Sequence, residues 1–113
     1  KVYFRNLAID GDELIAAGHF TSNPTGFATP ISASDIDGFV LRLKTTISVT
    51  ASHNDQFGGA NEQLVLGLAL GKGGNVIVGG SFLGTMVVNG TTSSTGSDPA
   101  GYIISTGKGV FGL

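Results

Sequence analysis

Two stretches decide how this chain folds: Leu7-Ala8-Ile9-Asp10-Gly11-Asp12-Glu13-Leu14-Ile15-Ala16-Ala17-Gly18-His19-Phe20 and Leu68-Ala69-Leu70-Gly71-Lys72-Gly73-Gly74-Asn75-Val76-Ile77-Val78-Gly79-Gly80-Ser81-Phe82. Side by side they carry one pattern. An apolar run leads into a turn of Gly, Asp or Asn, then into a second apolar run that contains glycine and closes on Phe. Leu7 to Leu68 is 61 positions, Gly18 to Gly80 is 62, and Asp35 to Asp98 is 63, so each increment is one inserted residue in a turn. A second block follows in the same order: Ser34-Asp35-Ile36-Asp37-Gly38-Phe39-Val40-Leu41 beside Ser97-Asp98-Pro99-Ala100-Gly101-Tyr102-Ile103-Ile104. Two blocks at nearly the same offset read as an internal repeat of about 60 residues.

Each unit reads as strands. Val76, Val78, Gly80 and Phe82 alternate with Ile77, Gly79 and Ser81, and Leu14, Ala16, Gly18 and Phe20 alternate with Ile15, Ala17 and His19. Both sets are apolar or small, the pattern of a strand covered on both faces. Phe39-Val40-Leu41-Arg42-Leu43, Tyr102-Ile103-Ile104-Ser105, Ile47 to Ala51 and Leu64 to Leu70 are further strands. Asp10-Gly11-Asp12 and Gly73-Gly74-Asn75 supply turn residues that tolerate positive φ. Val88-Asn89-Gly90-Thr91 signals a two-residue hairpin. No window has useful helical periodicity.

The composition agrees. Of 113 residues 19 are glycine, 41% are hydrophobic and only 12% charged, with a net charge of −2. A disordered chain is poor in apolar residues and high in net charge, and a helical bundle is rich in Glu, Lys and Ala. Six Lys and Arg, nowhere adjacent, do not make the clustered basic patch of a nucleic-acid surface. Without cysteine there is no disulfide and no Cys-type zinc site. No apolar run approaches the 18 or so residues of a membrane-spanning helix. Four short strands per unit, buried on both faces and repeated near 60 residues, describe propeller blades. The fold class is therefore all-β: two four-stranded antiparallel propeller-type blades, part of a larger or oligomeric β-propeller. Blade 1 covers residues 1–57 and reads as truncated at its N-terminus, and blade 2 covers 58–113 and reads as incomplete. Closed propellers have about 4 to 8 blades, so either the chain belongs to a longer propeller or several copies complete one.

The run Phe57-Gly58-Gly59, Leu68-Ala69-Leu70, Gly74-Asn75-Val76-Ile77-Val78-Gly79-Gly80-Ser81-Phe82, Gly84-Thr85 and Gly96-Ser97-Asp98 before Gly101-Tyr102-Ile103-Ile104 resembles the bacterial SBBP-type β-propeller repeat. The second unit follows that pattern closely. The first keeps Gly18, Phe20 and Asp35 to Leu43 but has Asp12-Glu13 for Gly-Asn and a longer loop over Thr21 to Ser34; the Trp usual before the Phe-Gly-Gly element is absent, since the chain has no Trp. The resemblance implies a propeller segment of an exported bacterial surface or extracellular protein, and no catalytic residues.

Little in the sequence converges on chemistry. His19 takes the place of Ser81 inside a strand and reads as a packed strand residue. His53-Asn54-Asp55-Gln56 reads as a polar loop, and Asn23 and Phe27 lie in the longer loop; these five residues, Asn23, Phe27, His53, Asn54 and Asp55, are the ligand-binding candidates, because loops on rigid scaffolds carry binding. Asp35 and Asp98 read as caps on the turns that launch the Phe39 and Tyr102 strands, and Gly18, Gly80, Gly38 and Gly101 as structural positions within or at the start of strands. Asp10, Asp12 and Glu13 lack the ligand loop of a calcium site. Gly67 to Gly73 misses the Walker spacing and its Ser or Thr. No Gly-x-Ser-x-Gly elbow occurs. Asn89-Gly90-Thr91 fits a glycosylation sequon but serves the hairpin first.

The expected function is a non-catalytic structural or interaction module of an exported bacterial surface or extracellular protein, presenting loops for adhesion or assembly. It needs no cofactor or metal. Its partners are other blades, from the same parent chain or other copies, and a surface protein or glycan, with no nucleic acid and no membrane span. The alternative is a lectin-like, carbohydrate-binding propeller with sites in the inter-strand loops. That reading wants an aromatic in each loop for stacking, which Phe27 supplies in one unit only.

Overall fold

The computed structural model describes residues 1–25, 31–44, 50–88, 91–107 and 110–112, with side chains left aside at 34, 50–54, 91, 106–107 and 110–112. It is all-β with antiparallel sheets. Strands β1 (Val2–Asp10), β2 (Glu13–Ser22), β3 (Ala33–Lys44) and β4 (Thr50–Phe57) form one meander, sheet 1, in the order β1-β2-β3-β4. Strands β5 (Gln63–Leu70), β6 (Val76–Phe82), β9 (Ala100–Gly107) and β10 (Val110–Gly112) form sheet 2 in the order β5-β6-β9-β10. A hairpin of β7 (Thr85–Val88) and β8 (Thr91–Ser94) stands between β6 and β9 in the chain, with Val88 paired to Thr91. The described residues do not close into a barrel or propeller. The turn before β6 is a short 3-10 segment, Lys72–Gly74, in which Gly73 and Gly74 take φ of 67° and 80°. That backbone suits glycine and no β-branched residue.

The sheets pack face to face, with β5 lying across β1, β2 and β3. Ile15, Ala17, Val40 and Phe57 from sheet 1 join Val65, Val76, Val78, Phe82, Met86, Val88, Tyr102 and Ile104 in one buried cluster. Each fully covered Val, Ile or Phe contributes about 1.5–3 kcal/mol. The opposite face of sheet 1 has its own cluster of Ala16, Phe20, Ile31, Phe39 and Leu41, so β2 and β3 are buried on both sides, as their sequence predicts. Sheet 2 differs from the expectation of two buried faces. Val76, Val78 and Phe82 point into the core, but Ile77 on the other side of β6 is exposed, as is Ile103 of β9, because no element among the described residues packs on that side.

The two sheets share local detail. Arg5 bulges out of the β1–β2 pairing between Phe4 and Asn6, and Leu66 bulges out of the β5–β6 pairing between Val65 and Gly67. Beside the first bulge a Cβ on Gly18 would run into the Tyr3 carbonyl; beside the second, a Cβ on Gly80 would run into the Leu64 carbonyl. An aromatic then crosses each glycine: the Phe39 ring lies 3.2 Å from where the Gly18 Cβ would be, and the Tyr102 hydroxyl 3.0 Å from that of Gly80. Glycine is needed at both places for close approach, not for an unusual φ.

Two expectations are corrected. Of the strand expected over Ile47 to Ala51, positions 50 and 51 fall in β4, Thr50–Phe57, and positions 47–49 lie outside the described residues. His53 to Gln56 are not a loop but the middle of that strand, opposite Arg42 to Phe39. Asp35 stands within β3, which already starts at Ala33, whereas Asp98 precedes β9. Only Asp98 sits at a strand entry. β3 starts early because Ala33 pairs with Ser22 across an irregularity in β2.

Candidate functional site

Of the residues singled out for binding, Asn23 and Asp55 are the two whose side chains are described, and they stand apart. Asn23 is exposed just past the end of β2. Phe27 lies outside the described residues. His53 and Asn54 are backbone partners of Arg42 and Leu41 in β4, and their side chains are outside the description. Asp55 pairs with Val40, which pairs with Ala17, and is buried. Asn23 is six residues further along β2 than Ala17, about 20 Å at the rise of a strand. A ligand held by Asp55 does not reach Asn23.

The polar side chains that do meet one another are ones the sequence did not single out. Gln63 is fully buried. Its Nε2 donates to the Thr85 carbonyl at 2.7 Å and the Ala60 carbonyl at 3.1 Å, and its Oε1 accepts from the Gly59 N–H at 3.2 Å. The amide thus ties the link between the sheets to β7. Arg42 is also fully buried and donates from Nη2 to the Gly74 carbonyl at 2.7 Å, holding the turn of sheet 2 onto sheet 1. Gln56 Nε2 donates to Asp37 Oδ2 at 2.7 Å and to the Ser32 carbonyl at 2.6 Å. The Tyr102 hydroxyl donates to the Leu64 carbonyl at 2.6 Å; burial pushes its pKa well above the ordinary 10. For Arg42 a signal existed: it is the one charge in Phe39-Val40-Leu41-Arg42-Leu43, on the face of Val40. For Gln63 there was none.

Burial shifts two titratable groups in opposite directions. Burial raises the Asp37 carboxyl from its ordinary 3.8, against a hydrogen bond from Gln56 that lowers it. Burial lowers His19 from 6.5, helped by the charge of Arg5; its imidazole lies 5.1 Å from the Tyr3 ring, centre to centre. They cannot act on one substrate as an acid–base pair. His19 belongs to the face of sheet 1 turned to sheet 2, and Asp37, paired with Phe20, to the opposite face. Among the described residues no three His, Asp or Glu side chains are placed to hold a metal ion, and no helix is long and apolar enough to cross a membrane.

What the molecule offers outward is apolar sheet. Ile103 is 71% exposed, Ile9 67%, Leu7 63% and Phe4 57%. Leu7 pairs with Ala16, and Phe4 sets its ring edge-on to Phe39 at 5.6 Å, so both lie on the outer face of sheet 1. Ile103 and Ile77 lie on the outer face of sheet 2, since their neighbours Tyr102, Ile104, Val76 and Val78 fill the core. Isolated exposed hydrophobics are ordinary, but rows of them on sheet faces mark interaction surfaces. No protein-family model, curated protein or solved structure matches the chain.

Proposed function

We propose that the chain is a non-catalytic structural and interaction module, two propeller-type units of a repeated β array in an exported bacterial surface or extracellular protein, whose loops serve adhesion or assembly. One observation carries the reading: the bulge, the close-packed glycine and the crossing aromatic recur at the same places in both sheets. Recurrence of such detail is what a repeated unit produces, and repeated units act by stacking. The polar side chains support it too. Gln63, Arg42 and Tyr102 bond to backbone groups of the chain itself, so they set turns and sheet contacts and leave function to surfaces. The resemblance to the SBBP-type repeat points the same way.

The test is protease shaving of intact source cells, with peptides identified by mass spectrometry. Peptides of this chain in the shaved fraction are the expected result. Their recovery only after lysis, from the soluble interior, overturns the surface assignment.

A further inference from the structure

The contact between the two sheets is not made by matching faces. Besides Phe57 of β4, sheet 1 enters it with Ala8, Ile15, Ala17 and Val40. At the offsets of 61 to 63 residues, their counterparts in sheet 2 are Ala69, Ile77, Gly79 and Ile103. These face away from the core: Ile77 pairs with Ala69, and Gly79 with Ile103, on the outer side of sheet 2. Conversely, sheet 2 enters with Val65, Leu68, Val78, Tyr102 and Ile104. Their counterparts in sheet 1 are Phe4, Leu7, Ala16, Phe39 and Leu41, all on its outer side. The contact is therefore front to back, and each chain keeps one unused front and one unused back.

The open positions are the ones such a contact needs. Within the chain, β5 leads by lying across β1, β2 and β3. Its counterpart is β1. Val65 is fully buried, yet its counterpart Phe4 is 57% exposed, and Leu68 is partly buried where its counterpart Leu7 is 63% exposed. Ile31 joins the cluster over Phe20 and Phe39, which leaves the β1 side of sheet 1 open. On the other surface Val40 is fully buried, while its counterpart Ile103 is the most exposed large hydrophobic of the described residues.

We infer that copies of this chain associate head to tail, β1 of one lying across the outer face of β5, β6 and β9 of the next. The partner is a second copy because each chain carries both halves of a contact that it already makes once internally. The positions that would meet, Phe4, Leu7 and Ile9 on one side and Ala69, Ile77 and Ile103 on the other, are all apolar. A front-to-back contact of this kind either closes into a ring of copies or runs on as an open chain. The inference rests on the repeat reading above, but the two fail separately, since shaving reports location and self-association is measured on pure protein.

The experiment is sedimentation velocity across the micromolar range on the wild type, Leu7→Lys and Ile103→Lys, each checked for a native far-UV spectrum; Leu7→Thr and Ile103→Thr replace any lysine variant that fails to fold. The wild type should form species larger than the 11.4 kDa chain, growing with concentration. Each variant alone should be monomeric, because one half of the contact is blocked. An equimolar mixture of the two should give a one-to-one dimer and nothing larger, the Leu7 face of one variant meeting the Ile103 face of the other. A wild type that stays monomeric overturns the inference. So does an associating wild type whose variants do not complement, which would place the contact on a single face or elsewhere.

Discussion

Gly80→Ala isolates the steric demand that defines the β5–β6 bulge. Gly80 does not have a positive φ, so alanine meets no backbone strain there and its effect is purely one of space. The added Cβ would overlap the Leu64 carbonyl oxygen, with the carbonyl carbon at 2.9 Å and the Tyr102 hydroxyl at 3.0 Å. Carbon and oxygen rest at about 3.3 Å or more, so β5 must retreat or tilt at its bulge. Overpacking of this kind costs about 1–3 kcal/mol. The Tyr102 bond to the Leu64 carbonyl, 2.6 Å long, is pulled apart with it, adding about 1 kcal/mol. Alanine's lower unfolded-state entropy returns about 0.4–1 kcal/mol, leaving a net loss of ~2–3 kcal/mol. At this chain length that lowers Tm by about 10 °C. Gly67→Ala, in the neighbouring strand β5 at the same bulge, is the control: nothing lies within 4 Å of its Cβ, and the same entropy effect should make it neutral or stabilising by up to about 1 kcal/mol. Urea and thermal unfolding followed by far-UV circular dichroism, at one low protein concentration, measure both. A Gly80→Ala midpoint equal to wild type, or an equal loss in Gly67→Ala, refutes the reasoning.

Gln63→Leu keeps the volume but strands the Gly59 N–H and the Thr85 carbonyl that the amide now satisfies, while the Ala60 carbonyl keeps the Thr85 N–H; at about 1 kcal/mol or more per orphaned group it should cost ~2 kcal/mol in urea unfolding, and a loss below 1 kcal/mol contradicts its role as the tie to β7. Asp37→Asn tests the raised carboxyl pKa. A folded value above 3.8 means that the native state binds the proton more tightly, so this group's contribution to stability is full below pH 3.8 and is lost as pH rises through the folded value. The asparagine variant should therefore match or exceed wild type at pH 7, and its advantage should shrink as pH falls toward 3.8. A variant that is weaker at pH 7 and gains on acidification contradicts it.

The architecture was legible because its determinants are local. Gly18 and Gly80 mark close approach, and Asp10-Gly11-Asp12, Lys72 to Asn75 and the pair Val88–Thr91 mark turns, each within a few residues of the chain. β4 was misplaced because His53-Asn54-Asp55-Gln56 is polar; its pairing with β3 is set by the backbone ladder and by Phe57, whose ring closes over Gly38, neither of which leaves a periodic signal. The burial of Ile77 and Ile103 was overestimated for a related reason. Their apolar character reports that the face is made to be covered, and the sequence does not say by what. Gln63 and Arg42 were missed because a buried amide or guanidinium is defined by partners such as Thr85 and Gly74, distant in sequence and supplied only by the fold. The binding candidates rest on loop position alone, and the backbone of His53 to Asp55 stands in β4 rather than in a loop.

The two sheets meet front to back, with Phe57 of sheet 1 against Tyr102 of sheet 2. Their ring centres lie 5.7 Å apart at an interplanar angle of 67°. A nuclear Overhauser spectrum of the isotope-labelled chain reads this contact directly. Strong cross-peaks are expected from the Phe57 ring both to the Gly38 α-protons beneath it and to the Tyr102 ring across the sheet interface. Cross-peaks from Phe57 to Gly38 with none to Tyr102 would leave sheet 1 intact and contradict the way the sheets are joined.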